Sequence, residues 1–192
     1  MSEGRATPAP DVAEAVERKK NSADIKARRV HFKRRNGTFG PLTGAQFDVE
    51  KFLARPLVGR IALAGPVIRP FWYIWEDECF WKLTGAWSIL DERLAADPSF
   101  ELVIDTCDLD TGETRQVIAH GKAYVVDFDN DRGRRILTRY AGPHEEDWDP
   151  RFQVWPDPSV YGTRLAKMVP DDIWTVDLSF RPVWPDRPPD WR

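Results

Sequence analysis

The stretch that decides the fold is Cys79-Phe-Trp-Lys-Leu-Thr-Gly-Ala-Trp-Ser-Ile-Leu-Asp-Glu-Arg-Leu-Ala-Ala-Asp-Pro98. It reads as a strand, a short loop and a helix, with the hydroxyls of Thr84 and Ser88 at the junction. A helix N-terminus presents unpaired N–H groups and the positive end of the helix dipole, so it can receive an anion. A glycine in the lead-in loop, here Gly85, lets the backbone come close to such a ligand. The plainer alternative is that Ser88 only caps the helix. The local sequence leaves both open.

The segments around this stretch are rich in β-branched and aromatic residues. Val58–Ala64, Val67–Trp75 and Cys79–Thr84 read as strands joined by Gly65-Pro66 and by Glu76-Asp77-Glu78, which are hairpin signals. Ser88–Ala96 is helical, with Leu90 and Leu94 on one face, and Asp97-Pro98 stops it. Phe100–Cys107 and Gln116–Phe128 follow as longer strands. In the second, Ile118, His120, Lys122, Tyr124, Val126 and Phe128 share one side by period two. Gly121 in mid-strand predicts a bulge or a close backbone approach. Asn130–Tyr140 reads as a helix ended by Gly142-Pro143, residues 143–160 as a long acidic loop, and Ile173–Phe180 as a last strand. A short helix is expected at 47–54.

These elements predict a mainly β (α+β) domain, a six-stranded antiparallel sheet that curls into a barrel with flanking helices. The domain spans residues 46–181. Before it, residues 1–45 form a basic arm, expected to be partly disordered or helical over 12–27. After it, residues 182–192 form an extended tail rich in Pro and Trp. At 192 residues with 42% hydrophobic content, the chain can bury one sizeable core. Residues 18–35 hold nine Lys and Arg against Asp24 alone, a local +8 in a chain of net −3. Such an arm suits an acidic ligand tail, an acidic partner subunit or nucleic acid. Nucleic acid is disfavoured, because only Phe32 and Phe39 offer stacking.

No run approaches transmembrane length, and Met1–Asp11 has no apolar secretory core. The expectation is a cytoplasmic protein without membrane contact, whose Cys79 and Cys107 are reduced strand thiols at no metal spacing. No Ser-His-Asp or Cys-His arrangement is visible. His144-Glu-Glu-Asp-Trp-Asp149 is not a zinc motif and reads as a solvated loop, with Trp148 free to close over a ligand, so no metal is expected.

The order of these motifs resembles the pyridoxamine 5′-phosphate oxidase-like, FMN-binding split barrels. That family's strand–loop–helix pattern is F-x-F-Y-T-N-x-x-S-x-K. The chain keeps Phe80, Thr84 and Ser88 in register with it. Arg69, opening Arg-Pro-Phe-Trp-Tyr-Ile, matches an Arg that helps hold the flavin phosphate. Asp97-Pro98 and Arg115-Gln116-Val117 recur at family positions.

The resemblance implies a homodimeric oxidoreductase acting on a small organic molecule, with FMN, or alternatively the deazaflavin F420, at the subunit interface. Carried over, it places Arg69, Phe71, Trp72, Lys82, Leu83, Thr84, Ser88 and Gln116 at the cofactor. Trp87, His120 and Trp148 then line a substrate pocket. His120 is the one candidate acid or base, with Tyr73 and Tyr140 weaker choices. The chain departs where the family has a phosphate-pairing Lys, because Leu90 stands there. Lys82, on the face of Phe80 and Thr84, is the candidate replacement, with a solvent-facing lysine as the alternative. The rival reading is a split barrel that has lost its flavin and binds or transforms another ligand without redox chemistry. Trp72, Trp75, Trp81 and Trp87 are expected to be exposed, at an interface or a pocket. Pyridoxamine 5′-phosphate itself is disfavoured as substrate, since the family oxidase's C-terminal Arg and Trp find no match.

Overall fold

In the computed structural model, residues 31–33, 39–41, 45–65, 67–153 and 162–181 are described, the first two segments as backbone only. The helix expected at 12–27, the tail 182–192 and most of the second half of the acidic loop lie outside them.

The body is an antiparallel sheet of seven strands in the order β4-β3-β7-β8-β9-β6-β5. Here β3 is Gly59–Leu63, β4 Val67–Phe71, β5 Ile74–Glu76, β6 Cys79–Gly85, β7 Ser99–Cys107, β8 Thr114–Val126 and β9 Thr163–Asp177. Two short strands extend it: β1 (His31–Lys33) runs parallel to β9, and β2 (Phe39–Pro41) pairs with β1. Within the basic arm the described residues are therefore strand. The helices are α1 (Val49–Leu53), α2 (Leu90–Ala96) and α3 (Asn130–Ala141).

The expected β class holds, but the body has seven strands where six were expected. The expected strand 67–75 divides because Trp72 and Tyr73 leave the ladder, where the Tyr73 N–H donates to the Tyr140 hydroxyl at 3.2 Å. Pro70 is tolerated because β4 is an edge strand of the body sheet, paired on one side with β3. The last strand begins at Thr163 and not at Ile173. Pro170 sits where the β8–β9 ladder is already interrupted: His120 pairs with Asp172 and Gly121 with Pro170, leaving Asp171 as an extra residue. That bulge shifts the alternation of β9, so Ala166 and Met168 before it and Ile173 after it all face the core. The close approach expected at Gly121 is real, since a Cβ there would lie 2.1 Å from the Val169 carbonyl oxygen.

One core fills the barrel. It holds Ile61, Phe80, Phe100, Leu102, Ile104, Val117, Ala119 and Met168, closed by Val49, Phe52 and Leu53 of α1 and by Leu90 and Leu94 of α2. Asp48 caps α1 through the Lys51 N–H (3.1 Å), and Asp129 caps α3 through the Arg132 N–H (3.0 Å). A second cluster lies on the other side of β6, where Cys79, Trp81 and Leu165 meet Ile136 of α3. Strand β6 is therefore covered on both faces. Trp81 is buried accordingly, with Arg132 stacked 3.8 Å from its ring centre. Trp72 stacks on Tyr140 at 5.0 Å and Trp75 packs on Phe80 at 4.5 Å, so of the four tryptophans expected to be exposed only Trp87 is so.

Glu76 ties α3 to the β5–β6 hairpin by accepting from Arg135 Nε and Nη2 (2.7 and 2.8 Å) and from Arg132 Nε (3.2 Å). The hydrogen bonds from Arg135, ahead of those from Arg132, hold its carboxyl below the ordinary glutamate value. A group with a depressed folded pKa stabilises the fold above its unfolded pKa and loses that stabilisation as pH falls through the folded one. Glu76→Gln is therefore expected to flatten the acid limb of a plot of stability against pH, with the largest loss at neutral pH. Urea midpoints at pH 3–7 measure it, and parallel curves for both proteins would refute the tie.

Both thiols are free, Cys79 buried in β6 and Cys107 exposed at the end of β7. Burial pushes the Cys79 thiol up, which keeps it unreactive. Among the described residues no helix is long and apolar enough to cross a membrane, and no group of three His, Cys, Asp or Glu could hold a metal ion.

Candidate functional site

Alternation along β6 puts Phe80, Lys82 and Thr84 on the barrel-core face and Trp81 and Leu83 on the α3 face. Phe80 roots this face in the core. Farther along, Thr84 is 0% exposed, and its hydroxyl donates to Asp91 Oδ1 at 2.7 Å. Asp91 stands in the first turn of α2. Ser88 Oγ accepts from the Leu90 N–H at 3.1 Å in a local turn one residue ahead of the helix, whose N-cap is Ile89, so the serine is not the cap residue of α2. Leu90 itself turns inward and is buried. With seven residues and an acidic first turn, α2 offers little free dipole to an external anion.

Lys82 is the cation of this corner. Burial pulls its ammonium down to about 8, and the nearby Asp91 carboxylate partly opposes that shift. Among the described residues, no carboxylate lies within ion-pair distance of its Nζ. A partly desolvated ammonium without a close counter-ion is suited to receive an anion, so the residues present fit a phosphate-bearing ligand in this respect. Asp91 works against the same ligand. Two unit negative charges about 5 Å apart, at an effective dielectric of about 20, repel by about 3 kcal/mol.

The loop between strand and helix is tight. Ser88 N–H donates to the Gly85 carbonyl at 2.8 Å. The Trp87 ring folds back over Gly85, where a Cβ would meet it at 2.4 Å, and the indole remains 59% exposed. Trp87 thus stands beside the corner with a free face.

The other expected site residues are spread more widely. Arg69 is exposed on β4, with Nη1 donating to the Ile68 carbonyl at 3.0 Å. Phe71 is buried against Tyr73 in the barrel core, and Trp72 lies between Tyr140 and Phe152. Trp148 is 2% exposed, with its indole N–H donating to the Gly142 carbonyl at 2.8 Å, so it finishes α3 and is not free to close over a ligand. Tyr73 and Tyr140 donate to the carbonyls of Leu53 (3.2 Å) and Leu57 (2.6 Å), and burial raises both hydroxyls above the ordinary tyrosine value. They pin the 53–57 segment and hold no mobile proton at neutral pH.

His120 lies on the outer face of β8, 46% exposed at its side chain, with Nδ1 3.1 Å from Asp172 Oδ1. Gln116 pairs with Val176 near the end of β9, whereas Thr84 pairs with Arg164 near its start. At about 3.3 Å per residue those levels are about 40 Å apart along the strand. One chain brings together Lys82, Thr84, Ser88, Trp87 and Asp91, and leaves Gln116 at a distance. Asp91 is the member sequence reasoning missed. The signal was there, because Ser88-Ile-Leu-Asp91 has capping-box spacing and so puts a carboxylate in the first turn.

This architecture has known counterparts. The chain superposes on the conserved protein Rv2991 of Mycobacterium tuberculosis with a TM-score of 0.57 and 19% identity, covering 69% of this chain and 84% of that one. The fold is the split β-barrel that the sequence resemblance implies. A FAD-binding protein of Mesorhizobium loti shares it at a TM-score of 0.53 and 16% identity, covering 70% of this chain and 96% of its own. The flavocytochrome Anf3 of Azotobacter vinelandii does so at 0.51 and 12%, covering 76% and 83%. No family model and no curated protein matches the split-barrel chain.

Proposed function

We propose that the chain is a flavin- or deazaflavin-dependent oxidoreductase acting on a small organic molecule, with its cofactor at a homodimer interface. The observation that carries this reading is the partly desolvated Lys82 beside Thr84, at the strand end leading into α2. Solved structures of the same fold include proteins named as FAD-binding and as a flavocytochrome, which supports a ligand of that class. When bound, such a cofactor supplies the hydride chemistry, and the protein supplies position and charge.

In this reading Lys82 holds the anionic tail of FMN or F420, with Thr84 and the Ser88 loop around it and Arg69 reaching in from β4. Phe71 from the barrel core and Trp72 and Leu83 from the α3 side of β6 support the strand that carries the site by packing. Gln116 joins the site from a second copy, because its own chain holds it far from Thr84. Trp87 offers an aromatic face to the substrate. His120, on the outer face with Asp172, reaches a site only across that interface. A cytoplasmic setting fits two free thiols.

A second reading, a split barrel that has lost its flavin and acts on another ligand without redox chemistry, is favoured by one observation. Thr84 already gives its one hydroxyl proton to Asp91. Titration of the purified protein with FMN, FAD and F420, followed by absorption and fluorescence, separates the two. Saturable binding of at least one supports the oxidoreductase. Binding of none leaves the flavin-free reading.

A further inference from the structure

The corner built by β6 and α2 contains an anion of its own. Thr84 is fully buried, and its one hydroxyl proton goes to Asp91 Oδ1 at 2.7 Å. The same carboxylate is the acidic group acting on Lys82. An incoming phosphate would need both of these donors. We propose that Asp91 is a resident anion that offsets Lys82 at this corner, so that a phosphate monoester held there by Lys82 gains no net affinity over the same flavin without its phosphate. This inference rests on the flavin reading above and adds what a terminal phosphate contributes there.

The physical reason is charge. A phosphate monoester carries about −1.5 to −2 at neutral pH. Lys82 supplies one positive charge, and Asp91 already offsets it. A monoester dianion therefore enters a corner that is close to neutral before it arrives, and it must also take the Thr84 proton from Asp91. A ligand with no terminal phosphate, or with a phosphodiester of a single charge, meets less opposition. The tightness of the loop adds to this, since Trp87 and the Gly162 carbonyl close on Gly85 from two sides.

Riboflavin and FMN share one ring system and differ by the phosphate, which makes them the probes. The wild-type protein is expected to bind FMN no more tightly than riboflavin. Asp91→Asn keeps an acceptor oxygen for Thr84 and removes the charge. It is expected to tighten FMN by about tenfold while leaving riboflavin within about twofold, the size of one charge-assisted contact. Adding Lys82→Met to that variant should cancel the gain. Asp91→Ser serves as a second variant, and far-UV circular dichroism with thermal melts confirms that each is folded.

Wild-type binding of FMN tenfold tighter than riboflavin would overturn the proposal. So would an Asp91→Asn variant that shifts both ligands alike or neither. If neither flavin binds any of the proteins, the flavin reading fails and inorganic phosphate decides the role of Asp91. Phosphorus-31 line broadening of inorganic phosphate with Asp91→Asn but not with wild type supports the resident anion. Broadening with both, or with neither, overturns it.

Discussion

Gly121→Val is expected to destabilise the protein by about 3 kcal/mol or more, among the larger losses a single substitution causes. Every atom that a Cβ at Gly121 would strike belongs to the backbone of β9. Val169 O would be 2.1 Å away, Pro170 Cα 2.8 Å and Asp171 N 2.9 Å. No rotamer change relieves such contacts, so the two longest strands must separate where their ladder is already interrupted. The site would suffer with the fold, because β9 also carries β6 on its other half. For a domain of this size the loss corresponds to a fall in Tm on the order of 6–12 °C. Calorimetry measures it, and a variant melting within about 2 °C of wild type would contradict the bulge geometry.

Phe80→Ala is expected to cost about 3–5 kcal/mol, the range for emptying a large buried aromatic site. Phe80 is fully buried, edge-on to Tyr73 at 5.8 Å and tilted against Trp75 at 4.5 Å. Those neighbours are held in turn by the Tyr73 hydrogen bond to Leu53 and by the Trp75 indole on Glu50 (2.8 Å). They have little freedom to collapse into the space. Phe80 also lies on the face that carries Lys82 and Thr84, so the loss reaches the candidate site. Phe80→Leu refills most of the volume and should recover more than half of the stability. Equal urea midpoints for the Ala variant and wild type would show that this face of β6 is not the root of the core.

Much of this fold was legible in the sequence where local chemistry and long-range packing agree. The Leu90 and Leu94 spacing marked the buried face of α2, and Gly121 marked the tight crossing of β8 and β9. The start of β9 at Thr163 was not legible because a bulge, where Pro170 costs no ladder bond, needs a partner strand that local pattern does not identify. Trp81 misled because alternation along β6 does not reveal that α3 covers its second face, and Trp72, between β4 and β5, because the same helix brings Tyr140 against its ring. The strands at 31–33 and 39–41 sit in a basic stretch with few apolar residues, and the pairing of the first with β9, which places the second, is purely non-local.

At the site, Thr84, Ser88 and Lys82 were legible from a spaced motif. Asp91 was overlooked because its role comes from a contact between strand and helix. Trp148 and the two tyrosines looked like ligand contacts because aromatic side chains serve pockets and packing equally well. Gln116 is a different case, since its distance along β9 from Thr84 appears only once the register is known.

In the proposed function, the corner formed by β6 and α2 binds the anionic part of a flavin-type cofactor through Lys82. The most direct test is a fluorescence titration of FMN and riboflavin against wild type and Lys82→Met between pH 7 and 9. A lysine lowered to about 8 binds an anion only in its protonated form, so affinity falls as pH rises through that value. Wild-type FMN affinity should decline across this range, and Lys82→Met should weaken FMN by about tenfold at pH 7 and abolish the decline. Riboflavin affinity should stay unchanged throughout. Equal, pH-independent FMN affinities for the two proteins would contradict the claim.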